Sequence, residues 1–197
     1  MAKETAKRRA DLRERLIDIA EEEIRQNGMS SLRARALAEQ AGCAVGAIYN
    51  VFDDMTGLVL AVNGRTFHKM GAQVSATVKD SDAPPVDRLI AIAMGYLHFA
   101  NENPNLWRAL FEVEMSTEAD VPEWYLKELG RLFAIIAEPL SDLYPDAGPQ
   151  DIDLRTRTLF SSVHGIVLLG TERRISGVPL ERIEQQIAYL LRSVAGK

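Results

Sequence analysis

The chain has 197 residues, 47% of them hydrophobic and 26% charged, which suits a packed core and excludes a chain that stays disordered. Its net charge of −5 argues against a surface coated in nucleic acid, and its single cysteine, Cys43, excludes an internal disulfide and gives no sign of an oxidising compartment. The longest apolar runs, Leu89–Leu97 and Gly165–Gly170, fall well short of the roughly 18 residues of a membrane span, and the charged start lacks the apolar segment of a secretory signal, so a soluble, cytoplasmic protein with no membrane partner is expected.

Charge is unevenly placed. Between Met1 and Arg15, the basic residues Lys3, Lys7, Arg8, Arg9, Arg13 and Arg15 outnumber Glu4, Asp11 and Glu14. Such a basic arm on an acidic protein suits contact with phosphates, although a solvated terminus is the commoner meaning of such a tail. Leu12, Leu16, Ile17, Ala20 and Ile24 then recur at helical spacing until Asn27-Gly28 closes the first helix. Leu32, Ala34, Leu37, Ala38 and Ala41 give a shorter helix ending at Gly42, and Val45, Ile48, Tyr49 and Phe52 give barely two turns more. Asp53-Asp54 offers an N-cap for a long helix through Leu58, Val62, Phe67 and Met70 to about Lys79. After Asp80–Pro85, helices are expected over Val86–Glu102, from Asn103-Pro104 through Phe111, from Pro122 to Leu143 with a bend near Pro139, over Asp151–Ser176, and over Pro179–Ala195. No strand-like alternation and no fixed repeat occur, so the fold class is all-α with about nine helices.

Helix, glycine turn, short helix is a helix-turn-helix pattern, in which the last helix needs only the packing of the first two behind it. Gly42 is expected at positive φ, and Ile48 and Phe52, one turn apart, are expected to pack inward, leaving the opposite face free for a groove.

At these residues the chain resembles the tetracycline-repressor family of bacterial transcription regulators. The resemblance runs without a gap from Leu16 to about Val62: Ala20 and Ile24 on the first helix, Gly28 at its end, "LAEQAG" as second helix and turn, "GAIYNVF" as third helix, and Leu58 on the fourth. A fainter likeness, "SVHGIVLL", suggests the subgroup with a Trp-His-Gly motif, with Val163 in place of the tryptophan. The resemblance implies a helix-turn-helix DNA-binding domain over residues 1–53, a connecting helix over 54–79, and a ligand-binding and dimerisation domain over 80–197. It also implies that Arg35 reaches a base edge or phosphate, that Tyr49 and Asn50 touch backbone or bases, and that Ala44, Val45, Gly46 and Ala47 face the major groove. The last three are too small and apolar to donate hydrogen bonds, and their natural contact is a thymine methyl. Two positions depart from the family's pattern. Arg33 stands where Ser or Thr often caps the second helix, and Met55 stands where a phosphate-binding lysine is common.

The larger part carries Met94, Leu97, His98, Trp107, Phe111, Met115 and Trp124 at helical spacing, a pattern that is ordinarily plain core. The resemblance implies a pocket among them for an apolar or aromatic effector, with His98, Glu112 or His164 as polar anchors. It implies also that Leu159, Ser162, Ile166, Leu169, Ile183, Ile187, Leu190 and Leu191, on the last two helices, join a second copy; the alternative is intramolecular core. His68, His98 and His164 are widely separated and no His or Cys pair has metal-ligand spacing, so neither a metal nor another cofactor is expected. Ser161, Ser162 and His164 lie too close on one helix for a triad, and no nucleophile elbow or phosphate loop occurs, so no catalytic residue is assigned. The expected protein is a homodimeric repressor, not an enzyme, bound to a palindromic double-stranded DNA operator and released by a small-molecule effector. The alternative is a helical small-molecule binding protein whose DNA-binding head is vestigial.

Overall fold

The computed structural model describes residues 2–78, 82–113 and 121–195. Among them are nine α-helices and no strand: α1 (Ala2–Asn27), α2 (Ala34–Ala41), α3 (Val45–Tyr49), α4 (Met55–Thr77), α5 (Pro85–Glu102), α6 (Pro104–Glu112), α7 (Glu123–Leu143), α8 (Pro149–Thr171) and α9 (Ile183–Ala195), with 3-10 turns at Met29–Ser31 and Leu180–Arg182. None of these helices is long and apolar enough to cross a membrane. By packing, the chain divides into two compact units, Met1–His68 with Asn103–Tyr125, and Lys69–Glu102 with Leu126–Lys197. The first unit thus takes in the first half of α4 and all of α6 as well as residues 1–53.

The core of the first unit is built from the helical faces legible in the sequence. Leu16, Ile17, Ala20 and Ile24 of α1 meet Leu37, Ala38 and Ala41 of α2, Ile48 and Phe52 at α3, Leu58, Ala61 and Val62 of α4, and Leu106 and Ala109 of α6. Asn63, fully buried on α4, donates from Nδ2 to the Ala109 carbonyl at 3.0 Å. Arg65 of α4 draws three carboxylates of α1 together: Nη2 lies 2.7 Å from Glu14, and Nη1 lies 2.5 Å from Asp18 and 3.5 Å from Glu21. Burial works against the Arg65 charge, but the hydrogen bonds it donates to Asp18 and Glu14, with their negative charge, outweigh it and hold the guanidinium above its ordinary pKa. Gly64 lets the Trp124 ring lie directly on α4, since a Cβ there would come 2.8 Å from the ring.

The second unit takes its core from Leu89, Ile92, Tyr96 and Phe99 of α5, Leu140 of α7, Ile152, Leu159, Val163 and Val167 of α8, and Ile183, Ile187 and Leu191 of α9. Buried Arg88 of α5 is held by Asp142 of α7, with Glu138 at 3.7 Å. A buried arginine is tolerated only with such partners. α7 continues through Pro139.

Several element boundaries differ from the periodicity, among them the start of α9, at Ile183 after a 3-10 turn rather than at Pro179. The charged stretch expected as an arm is already helical from Ala2 and forms the first turns of α1. α8 ends at Thr171 rather than Ser176, because Arg173 turns left-handed (φ 52) and the backbone N–H groups of Arg173 and Arg174 fold back to Gly170 O and Leu169 O, both at 3.0 Å. That termination normally carries glycine, so the sequence gives no sign of it.

The break between α2 and α3 is the same motif with the usual residue. Gly42 has φ 65 and ψ 37, its N–H bonds to Glu39 O at 3.1 Å, and the Cys43 N–H bonds to Ala38 O at 2.9 Å. Cys43 packs against the core beside the turn, as the hydrophobic residue that accompanies this motif does. A Cβ at Gly42 would meet nothing within 4 Å, so substitution there costs only backbone strain. Gly42→Ala is expected to lower unfolding free energy by about 1–2 kcal/mol, and Gly42→Asn by clearly less, since asparagine tolerates this conformation; denaturant unfolding of the two variants checks the order.

Candidate nucleic-acid interface

α3 is five residues long, and its N-cap residue, Ala44, makes no side-chain cap. A helix this short is not stable alone. Its hold comes from one side: Ile48 is 0% exposed, Phe52 is buried one turn on, and the Phe52 N–H bonds to Ile48 O at 2.9 Å. With Ile48 inward, Val45 (39% exposed) and Tyr49 (49% exposed) point outward, and Ala44, Gly46 and Asn50 are exposed beside them. Ala47 is half-buried. Nothing lies within 4 Å of where a Cβ of Gly46 would stand, so a flat partner can approach the backbone closely there.

Around α3 the expected contacts are differently disposed. Arg35 is exposed, and among the described residues its side chain has no hydrogen-bond or ion-pair partner. Arg33, in contrast, turns back: Nη1 donates to Ser30 O and Leu32 O, each at 2.8 Å, and its side chain makes no cap on α2. Met55 is half-buried against the core of its unit. Asp54 has a structural duty, accepting the Gly57 N–H at 2.7 Å as the cap of α4.

Two arginines of the basic stretch have roles that sequence reading missed. Arg15 Nη1 donates to the Ala41 carbonyl at 3.1 Å, satisfying the last turn of α2. The Arg13 guanidinium lies 5.1 Å from the centre of the Phe52 ring. Both pairings join residues far apart in sequence, and no local spacing signals them.

The residues expected around an effector fall in different surroundings. In the first unit, Trp107 is fully buried with Phe111 edge-on at 5.6 Å, Phe111 is exposed, and Trp124 is exposed. Glu112 is exposed. In the second unit Leu97 is buried and Met94 half-buried, while exposed His98 lies 3.8 Å from Glu184. Met115 lies outside the described residues. His164 stands in a cluster of its own: Nδ1 and the Tyr96 hydroxyl share a hydrogen bond of 2.7 Å, its ring stacks on Phe160 at 5.6 Å, and Phe133 packs edge-on to Phe160 at 5.4 Å. Burial lowers the His164 pKa below the ordinary histidine value and keeps the ring neutral.

On the last two helices, Leu159, Ile183, Ile187 and Leu191 are buried within their own unit, Ile166 and Leu190 are half-buried, and Ser162 and Leu169 are exposed. Leu154 and Tyr189, not singled out from the sequence, are exposed on the same helices, as is Val194 of the apolar stripe of α9. Among the described residues no group of three or more His, Cys, Asp or Glu side chains is arranged to hold a metal ion.

Two family models match the chain. One, described as bacterial regulatory proteins of the tetR family, covers residues 16–62; the other, described as a tetracyclin repressor-like C-terminal domain, covers residues 89–194. No curated protein matches. Among solved structures, a protein of unknown function from Rhodococcus sp. RHA1 is 21% identical over 91% of this chain and 93% of its own, with a TM-score of 0.71. A tetR-family transcriptional regulator from Streptomyces coelicolor is 19% identical over 94% of this chain and 82% of its own, with a TM-score of 0.66. RolR, solved in complex with resorcinol, is 21% identical over 95% of this chain and 89% of its own, with a TM-score of 0.69. At these identities the likeness establishes a common fold.

The lowered His164 pKa fixes the sign of a pH dependence. Above the ordinary value of about 6.5 the ring is neutral in both folded and unfolded chains and contributes none. As pH falls below that value the unfolded chain takes up a proton that the folded chain refuses, so stability declines until the folded pKa is reached. Denaturant midpoints at pH 7.5 and 5.5 are expected to differ less for His164→Gln than for the wild type.

Proposed function

Because the chain belongs to the tetracycline-repressor family of bacterial regulatory proteins, we propose that it acts as a homodimeric repressor in which α3 of each copy enters the major groove of a near-palindromic operator. The observation that carries this reading is the division of α3 into a fully buried Ile48 and an outward face of Val45, Gly46 and Tyr49. That face offers close backbone approach and apolar contact to thymine methyl groups, and leaves hydrogen bonding to Arg35, Tyr49 and Asn50. A single five-residue helix reads few bases, so a two-fold pair reading half-sites about 34–36 Å apart is the economical arrangement. The surface supporting such a pair is the outer side of α8 and α9, where Ser162, Leu169, Leu154, Tyr189 and Val194 are exposed and Ile166 and Leu190 half-buried. Leu159, Ile183, Ile187 and Leu191 serve as the layer beneath it.

The effector in this reading is a small apolar or aromatic molecule held in the larger domain, a class consistent with the resorcinol bound by RolR. Release from DNA requires the effector to prefer the conformer that binds DNA poorly. α4, whose residues belong to the first unit through His68 and to the second from Lys69 onward, is the element through which it would act.

A second reading, a small-molecule binding protein with a vestigial head, draws on Arg33 being bonded to the carbonyls of Ser30 and Leu32 and Met55 being packed against the core. Fluorescence anisotropy separates the two, using duplexes selected by the protein from a randomised library. Sequence-dependent binding that weakens with salt supports the regulator, and no enrichment of any sequence supports the vestigial head. Arg35→Ala is expected to weaken the selected duplex by about 1–3 kcal/mol and relax its sequence preference; an unchanged affinity removes Arg35 from the contact.

A further inference from the structure

We propose that Asn63 of α4 and Tyr125 of α7 form the polar anchor of a ligand site that takes a neutral, hydroxyl-bearing aromatic molecule. This rests on the effector reading above and adds to it the anchoring residues and the chemistry of the ligand.

The first support is a pair of polar atoms left over in the first unit. Asn63 is fully buried and Tyr125 is 2% exposed, and neither Asn63 Oδ1 nor the Tyr125 hydroxyl has a hydrogen-bond partner. Nδ2 of Asn63 donates to the Ala109 carbonyl, which fixes the amide's orientation and leaves its acceptor orphaned. The two side chains are neighbours. Asn63 and Phe67 stand one turn apart on α4, and the Phe67 and Tyr125 rings meet edge-on at 5.1 Å. Burial raises the Tyr125 pKa, and the Asn63 amide takes back part of that rise. Native cores leave few such atoms unsatisfied, and two side by side call for an occupant.

The second is complementarity. Asn63 Oδ1 can only accept and the Tyr125 hydroxyl can donate, so one ligand hydroxyl, donating to the first and accepting from the second, satisfies both. A ligand carbonyl satisfies only the tyrosine. The surroundings are rings: besides Phe67, Trp124 stands edge-on to Tyr125 at 5.6 Å, an environment that matches an aromatic ligand.

The third is charge and access. Among the described residues of the first unit, the only buried charged side chain is Glu21, held by Arg25 at 2.6 Å and by Arg65 at 3.5 Å. No buried cation stands there to balance an anionic ligand, so a neutral one is favoured. Both orphan atoms are closed off from solvent, so a ligand enters as the first turn of α7 lifts. Trp124, exposed and next in the chain to Tyr125, rests on α4 at Gly64, which puts the start of that movement at the surface. The ligand thereby selects the lifted arrangement over the seated one.

The test measures, by calorimetry in sealed cells, the affinities of the full-length wild type and of Tyr125→Phe for phenol, toluene and benzoate. Phenol is expected to bind the wild type in the millimolar range, as its few atoms allow, and at least about tenfold more tightly than benzoate. In Tyr125→Phe the preference for phenol over toluene is expected to fall about tenfold. The thermal midpoint of that variant without ligand is expected to stay at or above the wild-type value, because the hydroxyl removed had no partner. Absence of phenol binding overturns the proposal and leaves the pair to a water molecule. So does an unchanged preference in Tyr125→Phe, which places phenol elsewhere. A preference for benzoate overturns it as well, and so does a lowered midpoint, which shows the hydroxyl already partnered. Phenol that binds as expected yet leaves affinity for a library-selected duplex unchanged upholds the site and removes release of DNA by an effector, so failures of the two readings are told apart.

Discussion

Burial of Ile48 is the contact on which the outward face of α3, the proposed DNA-reading surface, depends. α3 has too few residues to form without help, and no side chain caps its first turn. Its geometry is imposed from beneath, by Ile48 and Phe52 seated among the apolar residues of α1, α2 and α4. Gly42 sets the direction in which the chain leaves α2, and Arg15 of α1 ties down the carbonyl at that corner. The outward disposition of Val45, Gly46 and Tyr49 is therefore a property of the whole first core rather than of the segment that carries them. A substitution in that core therefore acts on the outward face of α3 without touching it.

The charges of α1 are sorted along its length. Glu14, Asp18 and Glu21 converge on Arg65 of α4, and Glu21 also receives Arg25 at 2.6 Å. The carboxylates in the middle of the helix are thereby neutralised close to the packed core, where opposite charges interact more strongly than in open water. Arg13 and Arg15 are likewise engaged with Phe52 and Ala41. Among the described residues, the cations of α1 without such a partner, Lys3, Lys7 and Arg9, stand in its first three turns. Arg88 repeats the theme in the second unit, where its burial depends on Asp142 and Glu138.

Much of this was legible in the sequence, because helical periodicity reports which side chains face a core. Leu16, Ala20, Ile24, Leu37, Ile48, Phe52, Leu58 and Val62 are all buried, and Gly42 has the positive φ that its place between two helices required. What was not legible falls into two kinds. Pairings between remote positions, such as Arg15 with Ala41 or Arg65 with Glu14, leave no local pattern. Backbone turns made by an unusual residue give no signal either: Arg173 takes the left-handed conformation that ends α8, where glycine would have announced the stop. The stripe of α8 and α9 is informative only in part. Periodicity shows that Leu159 and Leu169 belong to apolar faces, but not that one is buried within the unit while the other is exposed.

The approach of Trp124 to Gly64 gives the protein a built-in optical contrast. The chain has two tryptophans; Trp107 is 1% exposed, while Trp124 is 43% exposed and seated against α4. Indole emission shifts to longer wavelength, and becomes open to collisional quenchers, as the ring meets water. The unmodified protein thus carries a shielded, blue-emitting internal standard and a solvent-sensitive indole whose signal reports whether the start of α7 remains seated on α4.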